Sequence, residues 1–314
     1  MMPIMAKNVD YNATLVERID LTNALAVFKI RPDEPVTDEP RFKPGQYMTI
    51  GLNNEVKPEL GSVRRPMSIV SAPEEGDVFE FYIRYVSHPE SENPLTHLLW
   101  RAKTDDRIFL RTKAAGSFNL EDTIGVADPR KKICVAAGTG LAPFISMVRS
   151  RLLRDPEARL DDFVLLHGAS YPADLGYVEE LEGLRQRGLH YYGTVSRPKE
   201  APDWKGDVGR VEDYFAAGRI AQLEERIGLP PGGLTPKNAT IFICGLQGTI
   251  GETVMRLLPR GFVPENKKLR KALEVEEGQH AALFFEQYDN TPVIPVDDPE
   301  VMERLRRELR EALA

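Results

Sequence analysis

The sequence predicts two domains of different fold class, an N-terminal antiparallel β-barrel and a C-terminal α/β domain with a doubly wound parallel sheet. The length of 314 residues exceeds the roughly 100–200 residues of a typical domain. Up to about residue 116, short strand-like runs alternate with turn signals, which is typical of antiparallel sheets. Beyond about residue 128, continuous apolar runs alternate with helical patterns, which is typical of a parallel sheet covered on both faces.

The change of pattern near residue 125 gives the predicted domain limits. We expect a barrel domain over residues 1–125, an α/β domain over 126–290 and a helical extension over 291–314. The extension has an apolar stripe. It either packs on the body of the chain or forms a dimer contact, and we favour packing on the chain. The stripe consists of Val301, Leu305, Leu309 and Leu313.

Six short strands and one helix are predicted for the barrel. A turn near Asn23 joins the first two strands, and a Pro44-Gly45 turn introduces the third, because Pro-Gly pairs favour turns. The predicted strands are 14–16, 24–30, 46–50, 63–71, 78–86 and 107–110, and the helix is 93–99.

The α/β domain is predicted from four strand-like runs, of which 133–137 is an unalternated apolar run expected to be a strand buried on both faces. A helix is predicted after three of them, the first from the helical spacing of Ile145, Val148, Leu152 and Leu153. The predicted strands are 133–137, 163–168, 190–195 and 239–245, and the predicted helices begin near Pro143 and span 175–187 and 249–258.

Composition is that of an ordinary soluble globular protein, with 42% hydrophobic and 28% charged residues. A net charge of −7 argues against a nucleic-acid partner. We find neither a secretory signal in residues 1–10 nor a run approaching the ~20 apolar residues of a membrane span. The two cysteines, Cys134 and Cys244, fit a reducing cytoplasm and exclude a four-cysteine iron–sulfur cluster. Five scattered histidines show no metal-ligand spacing, so no metal site is expected.

The stretch 63–71 places the cation of Arg65 and the hydroxyl of Ser68 three residues apart in an apolar strand. A buried arginine needs an anionic partner, because an unpaired buried charge is costly. The residues alone leave two interpretations open. Either a barrel strand carries an exposed arginine pair, or Arg65 binds a phosphate while Ser68 contacts a ring beside it.

The turn Gly138-Thr139-Gly140 follows an apolar run and precedes a helix with Pro143 in its first turn. Glycines allow close approach of a ligand, and the helix N-terminus offers unpaired N–H groups, so the turn is a candidate phosphate site. It departs from the usual dinucleotide pattern, because Pro143 replaces the third glycine and Ala169 and Ser170 replace the acid after the second strand.

Two further segments follow predicted strands of this domain. Ser196 and Arg197, with Arg210 beyond a loop, supply a hydroxyl and two guanidinium groups that suit a 2′-phosphate and favour NADP(H) over NAD(H); the alternative is a solvated rim. Cys244-Gly245 lies at the carboxyl edge where such folds bind ligands, and Cys244 is either a functional group or a small packed side chain.

Taken together, these motifs resemble the ferredoxin–NADP⁺ reductase family, and the bacterial subclass in particular. The motifs occur in the same order as in the family, between about residue 10 and residue 290. The matching segments are Phe42-Lys43-Pro44-Gly45-Gln46, Arg65-Pro66-Met67-Ser68, Pro94-Leu95-Thr96, Ala115-Gly116-Ser117-Phe118, Gly138-Thr139-Gly140-Leu141-Ala142-Pro143, His167-Gly168-Ala169-Ser170-Tyr171, Val195-Ser196-Arg197, Gly209-Arg210 and Cys244-Gly245.

The resemblance implies an FAD- and NADP(H)-dependent oxidoreductase that exchanges single electrons with ferredoxin or flavodoxin, with Ser68 and Cys244 as catalytic residues. Arg65 and Thr96 would bind the FAD pyrophosphate, Ser68 would hydrogen-bond flavin N5, and Thr139 and Cys244 would guide the nicotinamide. The implied FAD residues are Arg65, Pro66, Met67, Ser68, Tyr82, Ile83, Arg84, Thr96, Gly116, Ser117, Phe118 and Tyr288. The implied NADP residues are Gly138, Thr139, Gly140, Ser196, Arg197, Arg210, Cys244 and Gly245.

Three departures from the family pattern stand out. Met67 replaces the tyrosine of the flavin motif, Ser170 replaces an arginine that bacterial members often carry, and the chain extends about 25 residues past the C-terminal aromatic segment 286–288. Ferredoxins are acidic, so we also predict a basic patch for docking. Its candidates are Arg64, Arg101, Lys103 and Lys113.

The alternatives are the reductase component of an oxygenase, an NAD(P)H:flavin reductase and, from another class, a non-catalytic flavin-binding subunit. We expect a cytoplasmic monomer or homodimer.

Overall fold

The computed structural model describes residues 7–287 and 291–314. The chain forms two compact units. The first runs to Gly125 and adds Ala142–Glu157, and the second comprises Val126–Leu141 and Ala158–Ala314. Residues 142–157, which the predicted limits place in the second domain, therefore group with the first unit.

The first unit contains one antiparallel sheet with the strand order β4-β3-β6-β1-β2-β5. A bridge between Ile69 and Phe81 joins the chain after β4 to β5 and so closes the sheet into the predicted barrel. The strands are β1 (Ala13–Thr22), β2 (Leu25–Pro32), β3 (Tyr47–Asn53), β4 (Ser62–Ser68), β5 (Phe79–Arg84) and β6 (Arg107–Ala115), and the helices are α1 (Leu95–Leu99), α2 (Leu120–Thr123) and α3 (Ala142–Arg154).

Alternation along the strands explains the barrel core, because successive side chains of a strand point to opposite faces. Phe28 and Ile30 of β2 and Ile50 of β3 are fully buried in it. β1 is ten residues long, not three as predicted. Charged residues interrupt its apolar pattern, but Glu17 pairs with Lys29 of β2 at 2.7 Å and the hairpin continues.

The helix α3 packs on this barrel through polar contacts. The Ser146 hydroxyl donates to the carbonyl of Ser71 at 2.8 Å, and Arg149 lies 3.3 Å from Glu80. These contacts explain why α3 belongs to the first unit.

The second unit contains a parallel sheet with the strand order β10-β9-β8-β7-β11-β12, so the doubly wound prediction is confirmed. Ile133 of β7 and Ile241 of β11 are fully buried, because helices cover the sheet. The strands are β7 (Lys131–Ala137), β8 (Phe163–Ala169), β9 (His190–Val195), β10 (Asp207–Val208), β11 (Ala239–Cys244) and β12 (Leu283–Glu286).

The helices of the second unit are α4 (Val178–Gly183), α5 (Ile220–Arg226), α6 (Gln247–Leu257), α7 (Lys267–Ala272) and α8 (Pro299–Leu313). The predicted helix 175–187 is wrong in extent. Leu175 is extended, with φ −83° and ψ 92°, and Tyr177 is left-handed, with φ 60°, so α4 begins only at Val178. Its last predicted turn, Leu184–Arg187, is a 3₁₀ helix.

The C-terminal helix α8 packs on the core of the second unit. The Asp298 side chain caps its first turn, accepting from the backbone N–H of Glu300 and Val301 at 3.1 Å each. Leu305 and Leu309 are buried, together with Met302, while Val301 and Leu313 are partly buried. Of the two alternatives for the stripe, the structure shows packing on the chain itself. Throughout the described residues, every helix is too short or too polar to cross a bilayer.

Candidate functional site

In the first unit, the end of β4 brings Ser68 beside β5. The bridge from Ile69 to Phe81 continues through a hydrogen bond from the Val70 N–H to the Glu80 carbonyl at 2.8 Å. This antiparallel register places Ser68 level with Tyr82. Ser68, Tyr82 and Ile83 are all buried, with 7%, 4% and 3% exposure. The structure therefore brings these three predicted residues together.

Arg65 is exposed, so the argument that a buried charge needs an anion does not apply to it. It pairs with Ile50 of β3, and its Nη1 donates to the Arg64 carbonyl at 2.9 Å. Among the described residues it has no acidic partner. Pro66 is also exposed, whereas Met67 is half-buried and packs on the barrel core. The guanidinium is accessible to an anion, and the thioether supplies an apolar surface.

Arg84 ends β5 as an exposed residue, and Thr96 lies buried in the first turn of α1. The Thr96 hydroxyl accepts from the Val86 N–H at 3.3 Å. Two asparagines that the sequence did not single out hold the loop before β4 to the start of this helix. The Asn54 amide donates to Asn93 Oδ1 at 2.9 Å, and Asn93 donates to the Leu60 carbonyl at 3.3 Å.

The turn Gly116-Ser117-Phe118 lies against the Pro44-Gly45-Gln46 turn. Gln46 donates to the Gly116 carbonyl at 2.9 Å. Gly45 has φ +105°, and a Cβ there would overlap the Phe118 carbonyl oxygen. Glycine is therefore required at position 45 by both conformation and space.

In the second unit, the Gly138-Thr139-Gly140 turn packs directly on Cys244-Gly245. A Cβ at Gly140 would overlap the carbonyl oxygen of Cys244. Gly245 has φ +157°, and a Cβ there would lie 2.6 Å from that of Ala137. By contrast, nothing lies within 4 Å of a Cβ at Gly138, where φ is +55°. The close packing on one side and open space on the other form a backbone cradle, which suits an approaching phosphate.

His167 supports this turn, although sequence reasoning assigned it no role. It is fully buried in β8; its Nε2 lies 3.1 Å from the Gly138 carbonyl, and its Nδ1 lies 3.4 Å from the Tyr191 hydroxyl. Burial lowers the pKa of His167 to about 4. The ring is neutral at physiological pH, and the Nε2–H tautomer donates to Gly138.

Ser196, Arg197 and Arg210 meet at the carboxyl edge of β9. Backbone N–H groups of Ser196 and Arg197 donate to Ala169 and Ser170 at 3.0 and 3.1 Å, and Gly209 donates to Val195 at 2.9 Å. Ser196, Arg197 and Arg210 are all exposed. Tyr171 was not identified from the sequence as a contact of Arg197. Arg197 Nη1 donates to the Tyr171 hydroxyl at 2.7 Å, and Arg197 Cζ lies 5.5 Å from the ring centroid.

Cys244 is fully buried at the end of β11, and β12 places Glu286 opposite it. The sulfur lies 4.0 Å from Glu286 Oε2. The other thiol, Cys134, is also fully buried, which raises its pKa, so it acts as an apolar packing group. Tyr288, one of the implied FAD residues, lies outside the described residues.

The first unit also contains a cavity of about 450 Å³. Tyr11, Leu52, Leu98 and Arg101 contribute to its lining, but none of the predicted FAD residues does. The candidate site is therefore defined by the chemistry of the predicted residues and not by this cavity.

Comparisons with known proteins concern the family and the fold. The model of the oxidoreductase NAD-binding domain family matches residues 134–254. A ferredoxin–NADP reductase of Azotobacter vinelandii is 30% identical over 227 residues, which are 68% of this chain and 77% of that protein. A flavodoxin/ferredoxin–NADP reductase of Escherichia coli is 30% identical over 231 residues, 73% of this chain and 82% of that protein.

Among solved structures, a ferredoxin NADP⁺ reductase from Neisseria gonorrhoeae with bound FAD and NADP superimposes with a TM-score of 0.68 at 22% identity. The match covers 89% of this chain and 99% of that one. This similarity supports the fold, with an antiparallel and a parallel six-stranded sheet.

Proposed function

This chain belongs to the ferredoxin–NADP reductase family of oxidoreductases, and from that premise we propose that it binds FAD and NADP(H) and exchanges electrons with ferredoxin or flavodoxin. The observation that carries the proposal is the Gly138–Gly140 turn packed on Cys244-Gly245, which leaves an open backbone cradle for a dinucleotide. We place the protein in the cytoplasm, in accordance with its two free thiols.

Residues of the first unit fit FAD. Arg65 offers an exposed guanidinium whose donors suit a pyrophosphate. The half-buried Met67 and the buried Tyr82 offer apolar surface to a ring. Ser68 supplies a hydroxyl level with Tyr82, and we assign it the hydrogen bond to flavin N5.

Residues of the second unit fit NADP(H). The Gly138–Gly140 turn would hold the pyrophosphate, and Arg197 and Arg210 would hold the 2′-phosphate. Thr139 and Cys244 would orient the nicotinamide; because its thiol is fully buried, Cys244 acts through packing and position. When bound, the two groups supply hydride transfer between nicotinamide C4 and flavin N5, and the chain supplies proximity and orientation.

The proposed docking surface for an acidic electron carrier comprises Arg64, Arg101, Lys103 and Lys113. All four side chains are exposed and, among the described residues, none has an acidic partner. Replacing them together by glutamate should weaken ferredoxin reduction and its salt dependence while leaving flavin reduction by NADPH intact. Unchanged ferredoxin reduction would remove this surface from the proposal.

Purification, FAD reconstitution and anaerobic mixing with NADPH or NADH test the proposed function. We expect a yellow protein whose flavin absorbance bleaches faster with NADPH. A protein that stays colourless after reconstitution would contradict FAD binding, and bound flavin that fails to bleach would leave the non-catalytic binding role. Loose FAD with steady turnover of added riboflavin would indicate an NAD(P)H:flavin reductase. Turnover with an oxygenase but not with ferredoxin or flavodoxin would indicate the reductase component.

A further inference from the structure

A buried carboxylate lies next to the proposed phosphate-binding edge. Glu212 belongs to the 3₁₀ segment Val211–Phe215, two residues after Arg210, and its side chain is 2% exposed. Neither carboxylate oxygen has a hydrogen-bond partner among the described residues. Buried polar groups are nearly always hydrogen-bonded, so this carboxylate requires an explanation.

A second buried glutamate of the same unit shows what a purely structural carboxylate looks like in this protein. Glu224 is also 2% exposed. It accepts from the backbone N–H of Gly232 and Leu234 at 2.8 and 3.0 Å, and it pairs with Arg260. Glu224 therefore stabilises a loop through several hydrogen bonds, whereas Glu212 has no such role.

The ionic partner of Glu212 is Arg210. Arg210 Nη1 lies 3.7 Å from Glu212 Oε1, and the Arg210 side chain is 72% exposed. This separation is longer than a hydrogen bond, so the carboxylate attracts the guanidinium without occupying its N–H donors. A competing carboxylate would instead hydrogen-bond the arginine, as Asp207 does with Arg226 at 2.7 Å in the same unit.

The backbone that carries the Glu212 side chain is held in place by Arg256 and Asp213. Arg256 donates to the backbone carbonyl of Glu212 at 2.6 Å and to the Asp213 carboxylate at 3.0 Å. Asp213 in turn accepts from the Arg210 N–H at 2.8 Å. The backbone on both sides of the pair is thus anchored, and only the long Arg210 side chain remains to be ordered.

We propose that Glu212 is a positioning residue that holds the Arg210 guanidinium at the edge of β9, ready for the 2′-phosphate of NADP(H). The inference rests on the proposed function of this edge, and it assigns to Glu212 part of the preference for NADPH over NADH. An exposed arginine loses rotamer freedom when it binds a ligand, and a fixed charge beside it reduces that loss in advance.

The test compares Glu212→Gln with the wild-type protein, both loaded with FAD. Calorimetry measures the Kd of 2′,5′-ADP, which carries the 2′-phosphate, and of 5′-AMP, which lacks it. Because one side chain is no longer pre-ordered, we expect the Kd of 2′,5′-ADP to rise about fivefold relative to that of 5′-AMP. The ratio of kcat/KM for NADPH to that for NADH should fall by the same factor.

Three further variants sharpen the result. In an Arg210→Gln background, Glu212→Gln should change neither the Kd ratio nor the kcat/KM ratio further, because the guanidinium that Glu212 positions is absent. Glu224→Gln, the matched buried glutamate, should lower Tm without changing either ratio. Glu212→Met removes the buried charge at similar volume and should fold even if the Gln variant does not; it should show the same loss of discrimination.

The inference is overturned if the Glu212 variants leave the ratio of the Kd of 2′,5′-ADP to that of 5′-AMP unchanged. It is also overturned if they bind 2′,5′-ADP more tightly, because the carboxylate would then compete with the phosphate for Arg210. Equal weakening of both nucleotides with a lower Tm would reduce Glu212 to a structural role and also overturn it. Failure of the proposed function looks different, because the wild-type protein would then bind neither nucleotide and its flavin would not bleach.

Discussion

The two units present their candidate sites by different means. In the first unit, Arg65, Met67 and Tyr82 project from paired strands whose backbone hydrogen bonds are already made. In the second unit, the proposed pyrophosphate site is the backbone of the Gly138–Gly140 turn, in which Gly140 leaves no room for a side chain against Cys244. A substitution of one of these side chains in the first unit should therefore remove one contact, whereas a substitution of Gly140 in the second unit should displace the whole turn.

The largest effect is expected for Gly140→Ala. The added Cβ would overlap the Cys244 carbonyl oxygen, and neither backbone segment can move freely. The turn can relieve this overlap, which costs about 3 kcal/mol in overpacked cores, only by moving, and movement would misplace the bound nicotinamide. We therefore expect the rate of flavin reduction by NADPH to fall roughly 100-fold. Stopped-flow absorbance measures this rate, and bound FAD should be unchanged because the substitution lies in the second unit.

The matched control is Gly183→Ala. Gly183 has helical φ and ψ values of −59° and −33°, and a Cβ there meets nothing within 4 Å. This variant should reduce flavin at the wild-type rate. If Gly140→Ala also kept the wild-type rate, the backbone cradle would lose its proposed role.

The next effect concerns His167, whose ring ties β8 to the turn. Its folded pKa of about 4 lies below the usual value of 6.5, because burial disfavours the charged ring. The unfolded chain therefore binds a proton that the folded chain does not. This contribution is fully present above about pH 6.5 and is lost as the pH falls towards 4; about 2 kcal/mol should be lost between pH 7.5 and pH 5.

Denaturant unfolding of the full chain at these two pH values measures this effect. His167→Gln should lose about 2 kcal/mol less on acidification than the wild-type protein. His280→Gln replaces an exposed histidine of the same unit and should behave as the wild type. Equal acid sensitivity of the His167 variant and the wild type would mean that the buried ring does not govern the pH dependence.

The sequence could predict features that depend on neighbouring residues, but not those that depend on contacts between distant residues. The Gly138–Gly140 turn is a local pattern, and so are the runs that became β7, β8, β9 and β11, so all were identified from neighbouring residues. The His167 contact with Gly138 spans 29 residues and depends on strands lying side by side. The burial of Glu212 and the pairing of the two-residue strand β10 likewise arise only in the folded sheet.

Side-chain direction was the weaker part of the prediction. The apolar strand left open whether Arg65 is buried or exposed, and the residue is exposed although it pairs with the buried Ile50. The helix predicted at 175–187 failed for a comparable reason, since the left-handed Tyr177 has no sequence signal as strong as a glycine would give. Local pattern thus predicted the elements better than it predicted where individual side chains are exposed.

The smallest effect is expected for Arg65→Gln in the first unit. The substitution removes one exposed charge from a strand that otherwise keeps its hydrogen bonds, so the fold should be intact. Loss of one charge-assisted contact to a pyrophosphate, reduced by solvent exposure, should weaken FAD binding by about 1.5 kcal/mol, or roughly tenfold. Fluorescence titration of the apoprotein with FAD measures the Kd.

Arg64→Gln provides a neighbouring control, because successive strand residues point to opposite faces. The Arg64 stem lies across β3, where its Cγ would be 2.8 Å from a Cβ at Gly51. Arg64 thus has the same charge and exposure as Arg65 but a different direction, and its replacement should change the Kd of FAD less than twofold. An equal loss of FAD affinity in the two variants would indicate a general electrostatic attraction. The first unit would then lack a directed arginine contact, and its site would no longer differ in this way from the backbone cradle of the second unit.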